Sequence, residues 1–294
     1  MVLTWGRFPA VSVDPVEKKP LFHFFPGSST FSLGAQGCNM TCPFCQNNHL
    51  SQMPEDGPAM NHRDSWTPQS VVEEALRCGC RSISFTYSEP VLSLEFALET
   101  CAAAASADIP VIFVTNGQLN SSPAAALAGA IGAANVDLKS FRKDAYRLEL
   151  GGHLGTTLDT IDLLRRAGVW VEVTTLVVPG WNDSDGELVR IARFLADLSV
   201  DIPWHVSRFH PAWRWPGCEA TPLSTLKRAF EIGRAAGLRY VYCGNVPGDD
   251  GEKTRCPACG GVLVDRRGYR VIGMNLRGDE CISCGQRIAG VGFV

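Results

Sequence analysis

Seven short runs of apolar and β-branched residues, at 31–36, 82–87, 111–115, 135–139, 169–178, 204–209 and 238–243, set the framework of this chain. Most are separated by segments with helical periodicity. Thr67-Pro68 opens one such helix, a capping hydroxyl followed by proline in the first turn. Others are expected over 93–105, 155–167 (closed by Gly168), 184–198 and 221–236. A strand that returns parallel to its predecessor needs a crossover, and such crossovers are right-handed, so successive units wind in one direction. About six units of this kind predict an α/β fold built as a partial (β/α)6-type barrel.

The 294 residues hold that barrel and an appendage, and 45% hydrophobic residues supply its core. Residues 1–30 are expected as an amino-terminal extension and 31–246 as the barrel. The polar, glycine-bearing stretch 247–255 reads as a linker, and 256–294 as a four-cysteine ribbon of short strands. With 27 basic and 30 acidic residues, net −3, no basic surplus points to nucleic acid or an anionic membrane. Residues 1–8 lack an apolar core followed by a cleavage site. The most apolar stretch, 92–114, is broken by Glu95, Glu99 and Asp108. A cytoplasmic location is expected.

In a reducing compartment the twelve cysteines are not expected to form disulfides, and seven fall into two compact groups. The first, Cys38, Cys42 and Cys45, has the spacing Cys-x3-Cys-x2-Cys directly after the first strand. Three thiolates bind three irons of a 4Fe–4S cluster and leave the fourth iron open. Clusters that only carry electrons normally use four cysteines, so the missing ligand points to chemistry at the open iron. Zinc prefers four ligands and matches this spacing poorly. The second group, Cys256, Cys259, Cys281 and Cys284, is two Cys-x2-Cys pairs, each followed by glycine (Gly260, Gly285). Four thiolates suit tetrahedral zinc in a structural or docking ribbon; rubredoxin-like iron or an auxiliary cluster uses similar ligands and stays open. Metal binding is expected to supply most of the folding free energy of so short a segment. Cys78, Cys80, Cys101, Cys218 and Cys243 lack ligand spacing as a set and read as buried or incidental thiols.

Function in a parallel barrel gathers at the carboxyl ends of the strands. Glu89 lies just past the second strand, and Thr115, Asn116 and Gly117 close the third. Asp137 and Lys139, two residues apart, leave the same face, as an ion pair or as site members. Alternation puts Arg208 and His210 on one face and His205 on the other. At a strand end before Pro211, Arg208 and His210 make the stronger pair; His205 and His23 are weaker pocket candidates.

The triplet after the first strand of a βα series resembles the signature of the radical S-adenosylmethionine (SAM) superfamily. Thr86-Tyr87-Ser88-Glu89-Pro90 looks like its Gly-Gly-Glu-Pro motif. Val114-Thr115-Asn116-Gly117, Val136-Asp137-Leu138-Lys139 and Val177-Val178-Pro179-Gly180-Trp181 resemble segments of pyruvate formate-lyase activating enzymes. Over nearly its whole length the chain resembles the AmmeMemoRadiSam-system radical SAM enzymes. That likeness rests on Val13-Asp14-Pro15, Glu17-Lys18-Lys19-Pro20-Leu21-Phe22-His23-Phe24, Cys45-Gln46-Asn47, Trp204-His205-Val206-Ser207-Arg208-Phe209-His210-Pro211, Gly244-Asn245-Val246-Pro247-Gly248 and the two terminal cysteine pairs.

The resemblance implies a radical SAM partial barrel with a zinc-ribbon-like module, a 4Fe–4S cluster and SAM as cofactors, and zinc or iron in the ribbon. It implies Phe44 near the adenine, Ser88 and Glu89 toward the SAM ammonium, and Asn116, Asp137, Lys139 and His210 around SAM. Lys139, Arg208 and His210 would carry the catalytic roles. The implied enzyme is of oxidoreductase or lyase type: it cleaves SAM reductively to a 5′-deoxyadenosyl radical, which abstracts hydrogen from a small molecule or a peptide. A glycyl-radical-enzyme activase is the alternative, and a non-catalytic metal-binding docking protein is less favoured. The implied partners are an external low-potential electron donor of flavodoxin or ferredoxin type and the Memo-type and AMMECR-type companion proteins.

Overall fold

The computed structural model describes residues 5–52, 65–246, 248 and 250–293, so Pro247 and Asp249 of the expected linker lie outside the described residues. Eight strands form one sheet in sequence order: β1 (Ala10–Pro15), β2 (Ser29–Gly34), β3 (Ser82–Phe85), β4 (Val111–Thr115), β5 (Ala133–Asp137), β6 (Trp170–Val177), β7 (Trp204–Arg208) and β8 (Val241–Gly244). β2 to β8 are parallel to their neighbours and β1 runs antiparallel along β2. β1 and β8 remain edges, so the barrel is open. All seven expected strands are present as β2–β8.

The helices are α1 (Asn48–Ser51), α2 (Pro68–Arg77), α3 (Leu94–Ala105), α4 (Ser121–Ala128), α5 (Leu154–Arg166), α6 (Asp185–Leu198) and α7 (Leu223–Ala235). From α2 onward each lies in one of the six crossovers between parallel strands. Thr67 caps α2 as its sequence predicts: its hydroxyl accepts from Ser70 N at 3.1 Å, and Ser70 Oγ accepts from Thr67 N at 2.9 Å. On α6 the stripe Leu188, Ile191, Ala192 and Leu195 is fully buried; each large aliphatic in it contributes about 1.5–3 kcal/mol of burial free energy. Among the described residues no helix is long and apolar enough to cross a membrane.

β1 and α4 were not expected. β1 inverts the usual pattern, with Val11 and Val13 facing outward (39% and 45% exposed) while Asp14 is buried. α4 is mostly serine and alanine, so its sequence shows little contrast between faces. The first thirty residues thus contribute an edge strand. Val16, Leu21 and Phe24 then pack against Ile112 and Ala133.

β9 (Thr254–Arg255), β10 (Val262–Arg267) and β11 (Arg270–Met274) form a three-stranded sheet, and β12 (Leu276–Arg277) pairs with β13 (Glu280–Cys281). Their core residues Cys256, Leu263, Val264, Cys281, Ile288 and Phe293 cluster with Phe22, Tyr240 and Tyr242 of the barrel side. A relay of hydrogen bonds crosses the same boundary. His23 Nδ1 meets the Ala289 carbonyl at 2.7 Å and must donate to it, so Nε2 accepts from Tyr242 Oη at 2.6 Å. Tyr242 Oη lies 2.9 Å from Thr254 Oγ1, which accepts from Arg266 at 2.7 Å. Burial pushes His23 down to about 4, consistent with a neutral ring.

Candidate active site

A cavity of about 530 Å³ is lined from the loop after β2 and the ends of β3 to β7. Cys38, Cys42, Cys45, Phe44, Ser88, Glu89, Asn116, Asp137 and Lys139 all line it. With Thr115 and His205, which line it too, the structure brings together eleven of the residues singled out in the sequence.

The cysteine loop is fastened at several points. Gly37 N donates to Leu50 O at 2.9 Å, Thr41 N to Leu150 O at 2.8 Å, and Gln52 Nε2 to Met40 O at 2.8 Å. Met40 N (3.4 Å) and Asn116 Nδ2 (3.7 Å) point at Cys38 Sγ, and Ser51 Oγ lies 3.1 Å from Cys45 Sγ. As free thiols, burial pushes Cys38 up to about 12 and Cys42 to about 11, so metal binding must release protons. The three sulfurs share the loop and the cavity without being drawn to the close spacing of a single metal ion. That suits a cluster, in which each cysteine takes a different iron.

Glu89 is buried and its carboxylate is heavily used. Oε1 accepts from Thr115 Oγ1 at 2.7 Å and Val91 N at 3.2 Å, while Oε2 accepts from Asn116 N at 2.8 Å. Desolvation nevertheless pushes its pKa up to about 7, against the opposing effect of these bonds. Lys139 Nζ lies 2.8 Å from Asp137 Oδ2, so the pair is an ion pair and also part of the cavity wall. Burial would lower Lys139, but Asp137 and the neighbouring groups hold it well above the ordinary lysine range. Ser88 Oγ donates to Ala35 O. Phe44 is wedged edge-on to Trp181, with ring centroids 5.1 Å apart.

Arg208 and His210 do not join this group. Arg208 Nε donates to Thr221 O at 2.9 Å, His210 is exposed, and neither lines the cavity. Alternation did separate them from His205, but the inward face of β7 belongs to His205 and Ser207. The parity of a single strand says which residues share a face and not which face is inside. His205 Nε2 sits 2.6 Å from Glu172 Oε2. Burial raises Glu172, but the hydrogen bond and charge of His205 outweigh it and the net direction is down. His23 lies in the seam with the ribbon, outside the cavity. Sequence reasoning missed Tyr87, Asn47, Lys18 and Lys19 as wall residues; their only signal was their place within the quoted motifs.

The other metal-ligating group is the ribbon. Cys256 Sγ and Cys284 Sγ are 3.6 Å apart, Cys259 Sγ and Cys281 Sγ 3.8 Å, and all four sulfurs lie within 4.8 Å of one another. Tetrahedral zinc with about 2.3 Å bonds puts its sulfurs about 3.8 Å apart. A single metal ion fits this group.

Residues 33–192 match the Radical SAM superfamily. The chain belongs to the radical SAM superfamily. Family membership brings a 4Fe–4S cluster and SAM as its cofactors. An uncharacterized protein of Methanocaldococcus jannaschii, MJ0808, is 39% identical over 287 residues, covering 97% of this chain and 84% of its own. Among solved structures, Streptococcus suis SuiB bound to S-adenosylmethionine matches with a TM-score of 0.57 at 15% identity, over 78% of this chain and 53% of SuiB. TYW1 with a lysine–pyruvate adduct bound matches with a TM-score of 0.51 at 14% identity, over 76% of this chain and 83% of its own. At those identities the likeness is one of fold.

Proposed function

We propose that this chain is a radical SAM enzyme of oxidoreductase or lyase type, acting on a small molecule or a peptide and working with the AmmeMemoRadiSam companion proteins of the Memo and AMMECR types. The observation that carries this is the convergence of Cys38, Cys42 and Cys45 with Glu89, Asn116, Asp137 and Lys139 on one cavity. The donor set fits the cofactors: three thiols, with Met40 N and Asn116 Nδ2 directed at Cys38 Sγ, would hold the cluster. When bound, cluster and SAM supply reductive C–S cleavage and a radical able to abstract hydrogen.

The chain's own residues supply the rest. Glu89 ties the end of β3 to the end of β4 and would face the SAM ammonium. Lys139, charged and held by Asp137, suits the SAM carboxylate. Phe44, backed by Trp181, offers an apolar face to the adenine and keeps water from it. An external low-potential donor of flavodoxin or ferredoxin type is needed, since nothing in a thiolate-bound zinc can deliver an electron. The ribbon metal is zinc in this proposal, with a structural role at the seam.

Anaerobic reconstitution tests the reading: about four irons per chain in the barrel and 5′-deoxyadenosine released from SAM under reduction are expected. A chain with Cys38, Cys42 and Cys45 replaced by alanine that still forms 5′-deoxyadenosine would overturn it.

A further inference from the structure

Between the edge strands β1 and β8 the cavity wall is made by residues 17–20, by Gly244 and Asn245, and by the ribbon turn Gly268–Tyr269. Two lysines stand in this wall and share one carboxylate. Lys18 Nζ lies 2.8 Å from Asp14 Oδ1 and Lys19 Nζ 2.6 Å from Asp14 Oδ2, and Tyr87 Oη donates to the same Oδ2. The ammonium of Lys19 is 4.4 Å from the Tyr87 ring centroid. Two ammoniums against one carboxylate leave the platform positive. Each ammonium has three donors, and Asp14 takes one from each. Glu17 and Glu252 line the same wall but are engaged elsewhere, Glu17 by Gly27 N (2.9 Å) and Arg266, Glu252 by Gly268 N at 2.8 Å.

The platform is built with strain. Tyr87 has φ +70°, a conformation a bulky residue rarely adopts. Its carbonyl accepts from Asn47 Nδ2 at 2.8 Å, which ties it to the cysteine loop. Its ring lies against Gly34, where a Cβ would come within 2.8 Å of Tyr87 Cδ2. Strain of this kind persists where the surroundings enforce it and tends to mark functional positions.

We propose that Lys18, backed by the buried ammonium of Lys19 on the same Asp14 and Tyr87, binds an anionic group of the substrate, a carboxylate or a phosphate. The proposal rests on the radical SAM reading and adds the substrate's charge to it. Asn47 fixes the platform relative to the cluster loop, so an anion held there orients the rest of the substrate toward the loop. Burial lowers Lys19 to about 8, and an arriving anion would favour its charged form.

The test is calorimetric titration of the reconstituted full-length chain with inorganic phosphate and, separately, with acetate. Saturable binding of at least one probe is expected, about tenfold weaker or more in Lys18→Gln, kept in Lys18→Arg and unchanged in the surface control Lys227→Gln. The side chain of Lys18 is 42% exposed, so the substitution spares the core. Binding of phosphate alone indicates a phosphorylated substrate, and of acetate alone a carboxylate. Absence of binding to the unaltered chain, or equal affinity in Lys18→Gln, overturns the proposal; an anion held at Lys139 instead would give the second result. The titration needs neither SAM nor reductant, so it is independent of whether the cluster cleaves SAM.

Discussion

Glu89 Oε2 accepts the backbone N–H of Asn116 at 2.8 Å while its Oε1 takes the Thr115 hydroxyl at 2.7 Å. One carboxylate thereby fixes the strand-end turn that aims Asn116 Nδ2 at Cys38 Sγ. Glu89, the end of β4 and the cysteine loop are thus mechanically one unit.

That carboxylate should make stability depend on pH in a definite direction. Its folded-state pKa of about 7 lies above the ordinary 4.5, so the folded chain holds the proton more tightly than the unfolded chain. The contribution is fully present below about pH 4.5 and is lost as pH rises through about 7. In cofactor-free protein, urea denaturation of the unaltered chain and Glu89→Gln from pH 5 to 8 should show the difference moving toward the glutamine variant, by about 3 kcal/mol at most. Parallel profiles would mean that burial does not raise the pKa of Glu89.

Asn116 offers a separate handle on the cluster. Its amide donates to Asn39 Oδ1 at 2.8 Å and points at Cys38 Sγ, and hydrogen bonds to cluster sulfurs help set reduction potential. Asn116→Ala should keep its iron while its cluster becomes harder to reduce, as read by a potentiometric titration followed by electron paramagnetic resonance. An unchanged potential would remove Asn116 from the cluster's surroundings.

What the sequence made legible, and what it hid, follows from the range of each signal. Strand–helix alternation and the capping pair Thr67-Pro68 are local, and β2–β8 and α2 stand where they predict. The cysteine triplet is local too, because loop spacing alone sets its reach. The inward parity of β7 is not local: it depends on how the strand sits in the sheet, so the sequence alone does not show that His205, rather than Arg208 and His210, faces the cavity. The Asp14–Lys18–Lys19–Tyr87 platform was hidden for the same reason, since it joins residues 73 positions apart across β1 and β3. The ribbon seam was hidden because a composition change resembles a domain boundary even where the two sides share a core.

The seam contains a test of its own strength. Arg266 and Glu17 are fully buried, with Nε 3.4 Å from Oε1, and Arg266 Nη2 also donates to Phe22 O at 2.7 Å. Burial raises Glu17 despite Arg266 beside it. Arg266→Ala should cost about 3–5 kcal/mol, because it strands a buried carboxylate. Arg266→Met combined with Glu17→Gln should recover much of that loss, since no charge is left unpaired. Chemical denaturation of both variants gives the comparison, and equal losses would show that packing rather than charge governs the seam.

Removing the ribbon metal should be felt in the barrel. Cys256 and Cys281 are themselves members of the core that holds Phe22, Tyr240 and Tyr242, and the His23–Tyr242–Thr254–Arg266 relay runs through the same ground. Loss of one thiolate in Cys256→Ala leaves an incomplete tetrahedron, and with it the metal's share of the folding free energy. About one zinc per chain beside about four irons is expected for the unaltered protein, falling to the irons alone in the variant. Because the relay anchors residues 17–23, hydrogen exchange should accelerate there and along β8 as well as in β9–β13. The cysteine loop, fastened independently through Leu50 and Leu150, should keep its protection. Exchange confined to residues 254–293 would show the ribbon to be uncoupled from the barrel. Excess iron in place of zinc, lost in Cys256→Ala together with a second redox signal, would show an electron-transfer site instead.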